Sequence, residues 1–419
     1  MAINFTPNQL AEAFVAQYAK ACPFLLNTNK TLDRKFTAGN GMIMNVVVPP
    51  YAVIGEDTAV IDQSTQLNYE SGVKQVVLRQ YNAAFAPNQA QRAHDILDLS
   101  AQVLVPYAQS LASKVQAKAI SDTIGQAGHT VVVNALDSSS NPIPGVVDMN
   151  KMRGASMLIT KSRAYGERFG IIDPLILASA TNLQNYFLPS DIAKTIWAEA
   201  ELGAFASAKW IGSADCLNIE IPDTTVLDLT GAAVATASVA GDDILAVSWT
   251  NATSGDCVLK AGTPFKVGSI KSVDIYGNKT TEDKVFTIAK DLEIASGSTS
   301  ANFPIVPVYT PADSMAECNV DVLPDAADTV EYYPGIVAGK TYAVGVCYDK
   351  DSVFVAQAGV AGMAGTEFKG QAEAPQGALV SYTAGPDILN GREVGRFDTL
   401  VGSTVARPSW VTEILLQLD

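Results

Sequence analysis

From Pro222 to about Val330 the chain changes texture: Thr and Val alternate, and Asp, Gly, Asn and Ser cluster at short intervals. That pattern is the signature of short strands joined by tight turns. Any fold for this chain must therefore house an all-β block between stretches that carry helical periodicity or longer apolar runs. Its clearest segment is Val258-Leu-Lys260-Ala-Gly262-Thr-Pro-Phe265-Lys-Val267-Gly268, followed by Lys284-Val-Phe286-Thr-Ile288. Gly262 suits a turn with positive φ, and Phe265 and Val267 alternate inward as they would in a small barrel. With Phe286 and Ile288 they are the expected core of the block, although a generic β-hairpin gives the same local string.

The chain has 419 residues, enough for two to three domains. Only 17% of them are charged while 48% are hydrophobic, which leaves little charge to cover a monomer's surface and implies apolar surface that meets other subunits. A net charge of -15 opposes nonspecific adhesion to nucleic acid, which rests on Lys and Arg neutralising phosphates. Met1-Ala-Ile-Asn-Phe does not read as a targeting signal and no stretch reads as a membrane span, so the protein is expected to be made and used in a cytosol. Cys22, Cys216, Cys257, Cys318 and Cys347 are scattered without a Cys-x-x-Cys pair and read as free core thiols.

Along the chain, Thr6 can cap a helix that opens on Pro7, with Gln9 completing a capping-box pattern. Leu10, Phe14 and Tyr18 make one apolar stripe, and Pro23 ends it. Residues Met42 to Ala84 read as a long hairpin, Met42–Val48 against Val73–Tyr81, broken by Pro49-Pro50 and Gly55-Glu56-Asp57 and turned at Ser71-Gly72. Such a ribbon is marginal alone. Ile96, Val103, Tyr107, Leu111, Val115 and Ala119 predict a helix from Asn88 to about Gly125, kinked or broken at Pro106. A second amphipathic helix is expected over Asn150–Ala164, with Met152, Ala155, Met157, Leu158 and Ile159. A buried strand is expected over Ile171–Ala178 and a short capped helix over Ser179–Phe187. Tyr342–Tyr348 and Ser352–Ala356 read as strands about an Asp349-Lys-Asp351 turn. Near the C-terminus, short apolar strands are punctuated by Gly385-Pro386 and Gly391 and closed by Arg407-Pro408.

No constellation for chemistry emerges. Gly335-Ile-Val-Ala-Gly339-Lys340-Thr341 ends like a phosphate loop, but its spacer is one residue short and Tyr342-Ala-Val-Gly-Val-Cys after it reads as a strand rather than a helix. His94 and His129 lie beside no nucleophile in sequence, and neither a Gly-x-Ser-x-Gly elbow nor a His-Glu-x-x-His motif is present. Asp242-Asp243 and the Asp349/Asp351 pair read as solvated turns. Lys151, Arg153, Lys161, Arg163 and Arg168 lack interleaved stacking aromatics and read as an interface or solvated face. The expectation is no enzyme, no cofactor and no metal.

Taken in order, these segments resemble the coat proteins of tailed bacteriophages of the P22 type. The resemblance rests on the Gly385-Pro386-Asp387-Ile388 turn, on Gly391-Arg392 and the final Arg407-Pro408, and on the Lys260-Ala-Gly262-Thr263 turn, where Thr263 replaces that family's Asp. It rests also on the string around Lys350, where Tyr348-Asp349 replaces a frequent His. It implies an α+β, HK97-type coat fold: an N-terminal arm (1–35), an extended β-hairpin loop (36–87), a spine helix (88–128), a peripheral domain and the start of an axial domain (129–222), an inserted barrel-like β-domain (223–330), and axial domain with C-terminal β segment (331–419). Contacts between subunits are expected from Val76, Leu78 and Arg79 of the hairpin and from Leu10 and Phe14 of the arm. The implied function is a major capsid protein found in the virion and assembled in the host bacterial cytoplasm. Pentamers and hexamers of it would close around double-stranded DNA with a scaffolding protein and a portal, without sequence-specific DNA binding and without a membrane. The alternative is a secreted or surface-array/adhesin structural protein, which would also be acidic, poor in Cys and rich in Thr, Val and Gly.

Overall fold

A computed structural model describes residues 7–31, 43–48, 72–85, 104–182, 203–229, 231–273, 279–309, 319–358, 368–373, 379–387 and 392–419. The chain forms two compact units, each gathered from distant stretches: Met1–Asn45, Gln75–Ile120 and Val353–Thr404 make one, and Val46–Lys74, Ser121–Ser352 and Val405–Asp419 the other. The 331–419 stretch is thus divided between them.

In the first unit, the helix Pro7–Lys20 opens on the proline, whose missing N–H is no loss in a first turn. Its stripe is buried at Phe14 and Tyr18, and Phe14 stacks on Phe397 with ring centroids 3.8 Å apart and planes at 11°. Phe397 lies on the 14-residue strand Arg392–Val405, which pairs with Leu379–Asp387 on one side and with Arg79–Phe85 on the other. Strands Val353–Ala358 and Phe368–Glu373 complete this sheet. Phe85, Tyr382 and Phe397 gather into one aromatic cluster, with centroids 4.8 to 6.4 Å apart. The helix Val105–Ile124 buries Ala108, Leu111, Ala112, Val115 and Ala119, one face at helical spacing. Gln116 Oε1 accepts from Phe24 N at 3.1 Å, tying this helix to the short turn Pro23–Leu26. Pro106 falls in the first turn of the described helix, where its missing N–H is no loss. The expected 88–103 part lies outside the described residues, as do Pro49-Pro50, Ser71, His94 and Cys318.

The hairpin's second arm is two strands rather than one. Gly72–Val77 pairs with Ile43–Val48, then after a break at Leu78 the chain continues as Arg79–Phe85 into the sheet of the first unit.

The second unit is built on Thr341–Asp349. This strand pairs with Val411–Gln417 on one edge and Arg168–Ile172 on the other, and Ile219–Glu220 adds to it. Every residue from Tyr342 to Asp349 is buried, the continuous pattern of a strand covered on both faces. Beyond these run His129–Val132, parallel to Val411–Gln417, and Ala208–Gly212, parallel to Arg168–Ile172. Trp210 packs flat over Gly170, where a Cβ would meet its ring at 2.2 Å. The helix Met149–Lys161 is capped by Asp148, whose side chain accepts from Asn150 N, and buries Met152, Ala155 and Ile159 on the sheet.

One expectation is corrected here. The run Ile171–Ala178 is not a strand: the strand is Arg168–Ile172, and a helix, Pro174–Asn182, begins inside the apolar run. Asp173 Oδ1 accepts from Leu175 N at 2.7 Å with Pro174 in the first turn, a cap that apolar content conceals.

Among the described residues the Pro222–Val330 block is built of strands, a lobe within the second unit whose main sheet has six of them. Phe265, Val267, Phe286 and Ile288 are at most 1% exposed and share one core with Leu245, Trp249, Phe303 and Tyr309. Phe286 meets Tyr309 edge to face at 5.0 Å, and Gly262 takes φ +91° in its turn. The chain enters and leaves the lobe side by side: Ile221 N donates to Lys340 O at 3.0 Å and Gly339 N to Ile221 O at 3.1 Å.

Phe286→Ala should cost about 3–5 kcal/mol through the cavity it leaves. Urea unfolding followed by Trp fluorescence checks this, and a cost under about 1 kcal/mol would mean that the lobe core does not depend on the Phe265–Phe286–Tyr309 packing.

Candidate assembly surface

Successive side chains of a strand point to opposite faces, and in the Ile43–Val48/Gly72–Val77 ribbon both faces carry apolar side chains, the open one with Asn45 and Gln75 among them. One face is covered: Val46, Val48, Val76 and Leu78 are all 4% exposed or less. The other is open: Ile43, Val47, Val73 and Val77 are 50 to 60% exposed. Gly402 makes the close approach possible, since a Cβ there would lie 2.5 Å from Val77 O and 2.8 Å from Val76 Cγ1.

Of the expected contact residues, Val76, Leu78 and Phe14 are buried within their own chain. Leu10 is half-buried and Arg79 exposed. The apolar residues open on the ribbon, Ile43, Val47, Val73 and Val77, were not among the expected contacts. A Val-Val-Val run and a Val-Val pair carry no polar alternation to say which face is inward, so the signal was present without its direction.

Elsewhere, polar groups are consumed by structure. Gly339-Lys340-Thr341 is a turn at φ +75° that leads into a strand, with Lys340 O accepting from Ile221 N, so no phosphate loop forms. Lys161 pairs with Glu282, Lys151 Nζ donates to Asn134 O at 2.7 Å, and Arg153 lies 5.7 Å over the Phe205 ring. Arg168 is buried, with its guanidinium donating to Ser156, Thr160 and Ala164. Asp242 accepts from Val239 N, and Asp349 from Asp351 N, closing their own turns. Burial pushes the Cys216 and Cys347 thiols up to about 12, far from the range of a reactive thiolate. No group of three or more His, Cys, Asp or Glu is placed to hold a metal among the described residues. No helix among them is long and apolar enough to cross a membrane.

His129 sits at the foot of the lobe, its Nε2 3.0 Å from Ser162 Oγ. Burial first, then the nearby Lys284, pushes its pKa down to about 3. Being neutral in the folded chain where the unfolded chain binds a proton, it contributes stability that is full above about pH 6.5 and is lost as pH falls toward the folded value.

Neither a family model nor a curated protein matches this chain. Among solved structures it is similar to the capsid of Ralstonia phage GP4, with 8% identity over 94% of this chain and 87% of that one and a TM-score of 0.44. It is also similar to a structure of Mycobacterium phage Che8, with 9% identity, coverage of 93% and 89%, and a TM-score of 0.43. For the head of Helicobacter pylori bacteriophage KHP40 the values are 10% identity, coverage of 95% and 91%, and a TM-score of 0.43.

Two outcomes are expected. Val47→Asp with Val77→Asp should leave the thermal melt of the monomer within a few degrees, whereas Val76→Asp should lower stability by roughly 3 kcal/mol or more by burying a charge. Equal melts for the two variants would remove the distinction between the faces. In acid titration followed by circular dichroism, His129→Asn should flatten the loss of stability between about pH 6.5 and 3, and an unchanged slope would assign that loss to other groups.

Proposed function

We propose that this chain is the major capsid protein of a tailed bacteriophage, a structural subunit that self-assembles into an icosahedral shell around double-stranded DNA. The observation that carries the reading is the open apolar face of the ribbon, Ile43, Val47, Val73 and Val77, on a chain with 17% charged residues. A two-stranded ribbon is marginal by its own pairing, and four large apolar side chains exposed on one of its faces suit a protein interface. A second copy of the chain is the occupant that a shell supplies.

In this reading the Val105–Ile124 helix corresponds to the spine, the sheet around Thr341–Asp349 to the axial domain, and the lobe after Ile221 to a β-domain inserted where the host chain closes without it. The backbone hydrogen bond between Ile221 and Lys340 supports that last assignment, because an insertion is tolerated where its two ends meet. Rings of five and six subunits, a scaffolding protein, a portal at one vertex and DNA held without sequence readout complete the proposal. The net charge of -15 suits a wall that encloses DNA without adhering to it.

Expressed with a scaffold, the protein should sediment as monomers plus closed or aberrant shells visible by negative-stain microscopy. Val47→Asp with Val77→Asp should leave monomers only. A strictly monomeric wild type at high concentration, with and without a scaffold, would sink the reading.

A further inference from the structure

The middle of the Val411–Gln417 strand holds a carboxyl group, between Thr412 and Ile414, that is paired with no charge among the described residues. Glu413 lies between Val346 and Thr130 in the sheet and has no exposure. Its Oε2 accepts from Thr130 Oγ1 at 3.0 Å, while Oε1 has no hydrogen-bond partner among the described residues. Oε1 points at the turn by which the lobe rests on the sheet: a Cβ on Gly262 would meet it at 3.1 Å, with Ile124 Cγ2 at 2.7 Å and Ile219 Cδ1 at 3.0 Å. The turn is held from the lobe side, where Gly262 N donates to Ile288 O and Thr263 Oγ1 to Lys260 O.

We propose that Glu413 is a proton-dependent latch between the lobe and the central sheet, closed while its carboxyl is protonated and released when it ionises. The charged groups on the elements around it do not offset that ionisation. Lys260 on the turn is paired outward with Asp291. His129 on the neighbouring strand and Lys284 beside it face each other. Asp122 near the helix end, Glu220 on the adjoining strand and Asp349 on the central strand are themselves acids. Burial holds the Glu413 carboxyl well above the usual carboxylate range, and only the Thr130 hydroxyl opposes it.

An acid whose folded-state pKa is raised keeps a proton that the unfolded chain gives up above about 4.3, so closure is fully favoured below that value and weakens as pH rises toward the folded pKa. The cheapest relief for a buried anion with one donor is water, and the water enters where the roof is a turn with a glycine at its centre. Opening should become more frequent by up to about tenfold per pH unit within that window.

Hydrogen exchange on the full chain from pH 5 to 9, corrected for intrinsic rates, tests this. In the wild type, protection of peptides covering 257–267 and 284–290 should fall with rising pH while 341–349 stays protected. In Glu413→Gln the fall should vanish. Thr130→Val, which removes the hydroxyl favouring the anion, should move the transition to higher pH, and it keeps the test open should Glu413→Gln fold poorly. Parallel slopes in wild type and Glu413→Gln, an unmoved transition in Thr130→Val, or equal loss of protection in 341–349 would each overturn the latch.

Discussion

The strand Thr341–Asp349 is the constraint on which the second unit depends. Its two edges are taken by Val411–Gln417 and Arg168–Ile172, so its N–H and C=O groups find partners in segments far apart in sequence. Gly345 is small for a reason, because a Cβ there would lie 2.8 Å from Ile172 Cγ2. The C-terminal strand is therefore not an appendage. Its Ile414 and Leu416 share a core with Met152, Ala155 and Ile159 of the Met149–Lys161 helix.

The sequence made some of this legible and hid the rest for identifiable reasons. Pro7 and the Phe14–Tyr18 stripe announced the first helix, and Phe265, Val267, Phe286 and Ile288 declared the lobe core, because local alternation and turn chemistry agree with the packing there. The Asp173-Pro174 cap was read as strand interior, since Ile171-Ile172 before it and Leu175–Leu177 after it are apolar and periodicity cannot separate a buried strand from a helix in so short a run. The stripe of Phe14 did not show which surface it packs on, because its partner, Phe397, lies hundreds of residues away. The candidate surface was legible as a ribbon and illegible as a face, for Val46-Val47-Val48 looks the same from either side. Glu413 gave no sign of its setting, since one acid in Val-Thr-Glu-Ile-Leu-Leu-Gln reads as the solvent side of an ordinary strand.

The two apolar faces of the ribbon have opposite tasks. Burying Val46, Val48, Val76 and Leu78 fixes where the ribbon leaves the subunit, and the same pleat presents Ile43, Val47, Val73 and Val77 outward. A one-residue slip in its pairing would exchange the two sets. Gly402, by admitting the Val76–Val77 backbone at close range, helps to hold the register.

The side-by-side entry and exit at Ile221 and Lys340 make the lobe a cassette. As an inserted domain it can change in its outer turns while Ile219–Glu220 and Thr341–Tyr342 go on pairing as they do now, the turn at Gly262 being the part that the sheet beneath feels. A lineage can rewrite the lobe's outer turns quickly while the sheet changes slowly, and an engineer can place a peptide tag at a turn such as Gly241 or Gly297, where nothing stands within 4 Å of an added side-chain atom.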